Sequence, residues 1–298
     1  MKEILDLGSD SAVTLFSFVE ITRDNPTEEF GIVDLENYIS QAIWRLFDKS
    51  REEAAERLGV EEADLILADA RVMGIKIDGH QVINPQGFTG KKLEILLALT
   101  MVRREKFVED AHLFEGGSIR AYLLAKEAGF EEAFYVEIEE DKTNVFAITP
   151  EGISHTGSLD WGSRNLVGSI EEKFELSPFS AEGIYGKYAT GMVSDNVAKN
   201  LDKIFYDTLG EFVDGVTMII RDSRGSKRAK APKVYLRSFL PIPEGIHRKR
   251  YTFGSGRMRF QKPVGGEKIE EFIEDDVHNI YNELNQLARR RIKWLMPE

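Results

Sequence analysis

The chain has 298 residues, 42% of them apolar and 30% charged, and a formal net charge of −12. That balance describes a folded globular protein with room for two domains and excludes a disordered or low-complexity chain. There is no cysteine, which removes disulfides, thiolate metal sites and cysteine nucleophiles, and no apolar run approaches the roughly 18 residues of a membrane-spanning helix.

In chain order, Ile4 to Phe18 reads as two short strands around a turn at Gly8-Ser9-Asp10-Ser11. Glu3 and Asp6 lie close to Met1 and no basic-then-apolar leader is read there, so a cytoplasmic location is expected. From Asp34 to Leu58 the apolar residues Leu35, Ile39, Ile43, Leu46 and Phe47 recur at helical spacing, with Asp34 as the expected N-cap and Gly59 beyond the end. Leu65–Ala68 and Met73–Ile77 read as strands, Asp78-Gly79 as a hairpin turn, and Asn84 to Gly90 as a rigid loop before a strand at Leu93–Thr100. Ser118–Ala128 is an expected helix, followed by strands at Phe134–Val136, Val145–Ile148 and Ile153–Leu159. Helices are expected at Leu166–Phe174 and Val197–Ile220, the second broken near Gly210 or Gly215, with a linker at Ser223–Ala231. Short strands fill Lys233–Phe260, and Glu267–Leu295 reads as a long amphipathic helix.

Two features bear on function. Residues 221 to 262 hold thirteen Lys or Arg against Asp222 and Glu244, a local charge of +11 that leaves −23 on the remainder. Such a segment suits an acidic partner surface or is simply a solvated basic face. The second feature is the stretch from Tyr135 to Ile148. It has the strand-turn-strand layout of a phosphate-binding hairpin, but Glu139, Glu140 and Asp141 stand where such turns keep glycine. A solvated hairpin turn and a metal-bridged site using Glu137, Glu139 and Asp141 both fit that composition. The five histidines, at 80, 112, 155, 247 and 278, are scattered without ligand spacing, so no metal site is expected from them.

Three segments carry a resemblance to the bacterial actin-like cell-division family FtsA and its relative PilM, and a fourth, short one near the start adds to it. Ile77-Asp78-Gly79 with Asn84-Pro85-Gln86-Gly87-Phe88-Thr89-Gly90-Lys91-Lys92-Leu93 resembles the loop of the small domain inserted in the first FtsA lobe. Gly117 to Leu123, running into the hairpin at 135 and on to Gly162, is similar to the family's connecting helix and second phosphate motif. Ala181-Glu182 with Lys187-Tyr188 resembles the adenosine-contacting helix, and Leu5-Asp6-Leu7-Gly8-Ser9 the first phosphate motif. The resemblance implies an α/β, two-lobed actin-like (ribonuclease H-like) fold. Residues 1–60 and 112–160 would form the first lobe, 61–111 the small inserted α+β domain, 161–264 a reduced second lobe, and 265–298 a C-terminal helix.

It also nominates Asp6, Gly8, Ser9, Glu137, Thr143 and Glu182 as nucleotide-site positions, and the sequence departs from the family at Glu137 and at several positions beside these. Glu137 replaces an Asp, residues 139–141 replace glycines, Lys142 replaces a Thr, and Asn144 replaces a later Asp. Tyr185 stands where a Lys is usual, and Arg237-Ser238-Phe239 where glycines would lie under adenosine. These changes add bulk or negative charge or remove a cation, which implies an adaptor or scaffold without ATP hydrolysis and with no cofactor. A divergent ATPase, with ATP and magnesium held by Asp6, Glu137 and Asp141, is the alternative.

By the same resemblance the outer second lobe would hold an acidic segment of an FtsZ-like, pilus or divisome partner, with Arg248, Lys249 and Arg250 in contact. Self-association is a further option of this kind. Arg290, Arg291, Lys293 and Trp294 would touch the inner-membrane surface, unless the last helix packs on protein instead. A nucleic-acid reading rests on Tyr235, Phe239, Tyr251, Phe253 and Phe260 interleaved with basic residues, and the overall acidity opposes it.

Overall fold

The computed structural model describes residues 3–263 apart from 110, 130, 151, 225–230, 244, 254 and 255, together with 284–286 and 288. The chain is α/β and clusters into two compact units. One holds residues 1–127, 151–154 and the C-terminal residues from 266; the other holds 128–150 and 155–265.

In the first unit, β1 (Glu3–Leu7) pairs in parallel with β6 (Ala111–Glu115). A second sheet has the order β2 (Ala12–Thr22), β5 (Lys92–Arg103), β3 (Leu65–Ile77), β4 (His80–Val82). The central strand β5 is an almost unbroken apolar run and is buried along nearly its whole length, as a strand covered on both faces must be. β5 pairs with β2 from Lys92 to Val102. The helix α1 (Ile32–Leu58) lays Leu35, Ile39, Ala42, Ile43 and Leu46 into the core against this sheet, the stripe expected from a 3.6-residue period. Its N-cap is Gly31 rather than Asp34, whose carboxylate accepts the Gly31 N–H at 3.1 Å from the third helical position.

The turn at Asp78-Gly79 forms as expected, with both residues in the left-handed region that a two-residue hairpin needs. The Asp78 carboxylate then accepts the Lys91 and Lys92 N–H groups at 3.1 and 2.8 Å, tying the 84–92 loop to the hairpin. The Lys92 amide first, and then that of Lys91, hold the Asp78 carboxyl below its ordinary pKa. A depressed folded-state pKa contributes stability above the usual carboxylate range and loses it as pH falls through the lowered value. Asp78→Asn keeps the turn's backbone preference and removes only the charge. It should lower the thermal midpoint at pH 7, by an amount that shrinks toward zero below the carboxylate range; a pH-independent deficit would show that the charge is irrelevant.

After α2 (Gly116–Glu127), the second unit is built on β7 (Ala133–Ile138), β8 (Thr143–Thr149), the part of β9 (Gly152–Leu159) from His155 on, β10 (Lys233–Ser238) and β13 (Phe260–Gln261). Their order is β9-β8-β7-β10-β13, with β8 antiparallel to β7, β10 parallel to β7, and β13 parallel to β10. This is the strand order of an actin-like (ribonuclease H-like) lobe. β7 pairs with β10 over six residues, and both strands belong to the second unit. The helices α3 (Ser163–Phe174), α4 (Pro178–Ala189) and α5 (Asp195–Arg224) bury Leu166, Tyr185, Phe205 and Phe212 in one core with β7 and β10. The short α6 (Gly245–Arg248) and the hairpin of β11 (Tyr251–Phe253) with β12 (Gly256–Met258) complete the unit.

Candidate functional site

Asp6 lies on β1, and its carboxylate pairs at 2.7 Å with Arg120, a buried arginine of α2. Gly116, at the start of α2, has no room for a Cβ because the Asp6 carboxylate and the Arg120 guanidinium occupy that space. Gly8 serves the turn into β2, its carbonyl accepting the Ser11 and Ala12 N–H groups, and Ser9 is buried beside it. The first predicted phosphate turn is thus closed by its own cation.

The hairpin of the second unit is closed in the same way. Glu137 is fully buried, accepts the Tyr135 hydroxyl at 2.9 Å and faces the Arg237 guanidinium at 3.5 Å. In the turn, Arg164 reaches back from α3 to pair with both Glu140 and Asp141, and Asn144 donates to Glu139 at 3.0 Å. The Glu140 bond first, and then the Asp141 charge, push the Arg164 guanidinium further toward its charged form. The N–H groups of Ser163 and Arg164, at the start of α3, donate to the carbonyls of Glu139 and Glu140 at 3.0 and 2.9 Å. Amides at a helix N-terminus are what an anion would use, and here the chain itself has taken them. Gly162 permits this approach, since a Cβ there would overlap the Glu140 carbonyl. Thr143 is buried and donates to the Trp161 carbonyl at 2.7 Å, while Glu182 is exposed on α4 within electrostatic reach of Arg164.

Tyr185 belongs to the core: it is buried, its ring meets Phe205 edge-on, its hydroxyl donates to the Pro241 carbonyl, and burial raises its phenol pKa. Arg237 stacks over Phe239 at 5.1 Å in the segment where glycines were missing. Among the described residues no group of three or more carboxylates or histidines gathers as metal ligands. Asp6, Glu137 and Asp141, nominated together for magnesium, each face an arginine.

The basic triplet at 248–250 has a different setting. It borders a groove of about 940 Å³ within the second unit, floored by one face of α5 and walled by the 242–251 segment. The buried Ile246 anchors α6, and the Lys249 N–H closes its turn on the Gly245 carbonyl at 3.1 Å. Arg248, Lys249 and Arg250 are exposed, and the Lys249 ammonium sits 4.7 Å over the Tyr206 ring. On the α5 side Tyr188 donates to Asp202 at 2.5 Å. Burial raises the phenol pKa of both Tyr188 and Tyr251. The α5 contribution to this groove escaped the sequence reading, although a tyrosine one turn before a mid-helix glycine was a usable signal.

Of the aromatics nominated for base stacking, Phe253 and Phe260 are buried, Tyr235 and Tyr251 are half-buried and Phe239 is exposed, and Phe260 packs on Phe212 and Tyr251. Arg290, Arg291, Lys293 and Trp294 lie outside the described residues, and among the described residues no helix is long and apolar enough to cross a membrane.

No protein-family model matches the chain, and no curated protein does. Among solved structures, a PilM-PilN type IV pilus biogenesis complex is similar at 12% identity and a TM-score of 0.46, over 94% of this chain and 76% of that one. The archaeal actin homolog Ta0583 is similar at 12% identity and a TM-score of 0.34, covering 62% and 56%. Apo psk41 ParM is similar at 9% identity and a TM-score of 0.34, covering 95% and 85%. The fold assignment stands on the strand order of the second unit itself.

Proposed function

We propose that the chain is an actin-fold adaptor of the FtsA and PilM kind that holds a protein partner in a membrane-associated division or pilus assembly and does not hydrolyse ATP. One observation carries the nucleotide-free part. At every phosphate-type turn a carboxylate is already paired with an arginine, and the leading amides of α3 are donated to the hairpin's own carbonyls. A triphosphate would have to break these ion pairs and then face the released carboxylates, which at about 4 Å costs several kcal/mol at an intermediate dielectric. The partner is assigned to the groove, where Arg248 and Arg250 present cations with no carboxylate partner among the described residues. An acidic segment is the complementary occupant.

Calorimetric titration with ATP and magnesium tests the first part. No saturable heat is expected up to about 1 mM nucleotide. Clean binding with a micromolar Kd would overturn it.

A further inference from the structure

The helix α5 runs unbroken for 30 residues, and its face from Ala198 to Asp214 floors the groove. Gly210 stands in the middle of that floor. Glycine is the costliest choice for a helix interior short of proline, and a Cβ built at Gly210 meets nothing within 4 Å. The fold has room for alanine there and does without it. Five residues on, Gly215 is the contrast: its Cβ would press on Leu159 at 3.0 Å, so packing itself asks for glycine. The space over Gly210 opens into the groove, and nothing among the described residues fills it.

Charge gives the pattern of what does. One wall carries Arg248 and Arg250, with Lys249 held over Tyr206. On α5, Asp202 is engaged by the Tyr188 hydroxyl, whereas Asp214 is exposed and has no cation partner among the described residues. Tyr206 and Asp214 are eight residues apart, about 12 Å along a helix. That distance is about four residues of extended chain.

Building on the assignment of this groove to a protein partner, we propose that its occupant is an extended segment of mixed charge. It brings a carboxylate to the 248–250 wall and, about four residues away, a lysine or arginine to Asp214, and its backbone crosses α5 over Gly210. A wholly acidic segment would set a carboxylate against Asp214 and is disfavoured.

The test uses the full chain and fluorescein-labelled peptide pools read by anisotropy. One pool carries Asp-Xaa-Xaa-Xaa-Arg in both orders, the other Asp-Xaa-Xaa-Xaa-Asp, with apolar residues at Xaa. The mixed pool should bind about tenfold or more tightly than the doubly acidic one, and Asp214→Asn should erase that preference. Gly210→Leu should abolish binding with an unchanged circular dichroism spectrum, while Gly210→Ala should raise the melting midpoint. If the doubly acidic pool binds equally well and Arg248→Glu with Arg250→Glu abolishes it, the groove assignment stands and the mixed-charge pattern falls. If neither pool binds below about 1 mM, both fall. A lower midpoint in Gly210→Ala, or wild-type binding in Gly210→Leu, overturns the role given to Gly210.

Discussion

Replacing Arg57 by Met is expected to destabilise the first unit by about 3–5 kcal/mol, the range for stripping one partner from a buried ion pair. Glu115, at the junction of β6 and α2, is fully buried. Its carboxylate accepts the Thr14 N–H of β2 at 3.0 Å and the Ser118 hydroxyl of α2 at 2.7 Å, and pairs with Arg57 from the last turn of α1. Three elements therefore converge on one charge, and Arg57 is its only cation among the described residues. Methionine preserves most of the arginine stem's packing, so the loss reports the missing charge rather than a cavity. The two hydrogen bonds that remain cannot balance a carboxylate removed from water. Denaturant unfolding of the wild type and the variant measures the loss. Adding Glu115→Gln to the Arg57→Met background should recover much of it, because the uncompensated charge is then gone. Losses that simply add would sink the coupling.

How far the sequence alone reached depends on where each partner sits along the chain. The stripe of α1 was legible because its residues are three and four apart and all face one sheet. Its start was misplaced by one turn, since Asp34 caps from inside the helix and Gly31 gives no side-chain signal. Residues 65–77 looked like two strands because Asp69 and Arg71 interrupt an apolar run. They form one strand because these two pair at 2.5 Å and Arg71 lies over Phe114, a partner 43 positions on. The same distance problem hid the state of the phosphate-type turns. Asp6 meets Arg120 and Glu137 meets Arg237 across a hundred residues or more each, so carboxylates that read as open positions are in fact filled ones. The basic segment was legible as a sum but not in its parts. Arg224, Lys233 and Arg237 pair with Glu132, Glu131 and Glu137, which lowers the +11 of the stretch to +8, and Arg248, Lys249 and Arg250 border the groove.

Asn285→Leu is expected to cost about 1–3 kcal/mol, the penalty for leaving a buried backbone donor unmade. In β3 the ladder with β5 slips between Val72 and Gly74, which turns the Val72 N–H away from its strand partner. The Asn285 side-chain carbonyl accepts that N–H at 2.6 Å from a fully buried position. Leu284 and Ala288, four residues apart on the same helical face, are buried in the core shared by α1 and the β2-β5-β3 sheet. Leucine matches asparagine in size and keeps the apolar contacts, so the substitution isolates the hydrogen bond. A chain ending at Glu283 loses both contributions, and burial of one leucine adds about 2 kcal/mol. Amide hydrogen exchange at Val72 gives the local readout. Its protection should collapse in Asn285→Leu while the amides of Leu97 and Leu99 in β5 exchange as before, because opening at the bulge leaves the central strand paired. Unchanged protection at Val72 would mean that the bulge finds its acceptor elsewhere, and the C-terminal residues would then be packing against this unit without completing it.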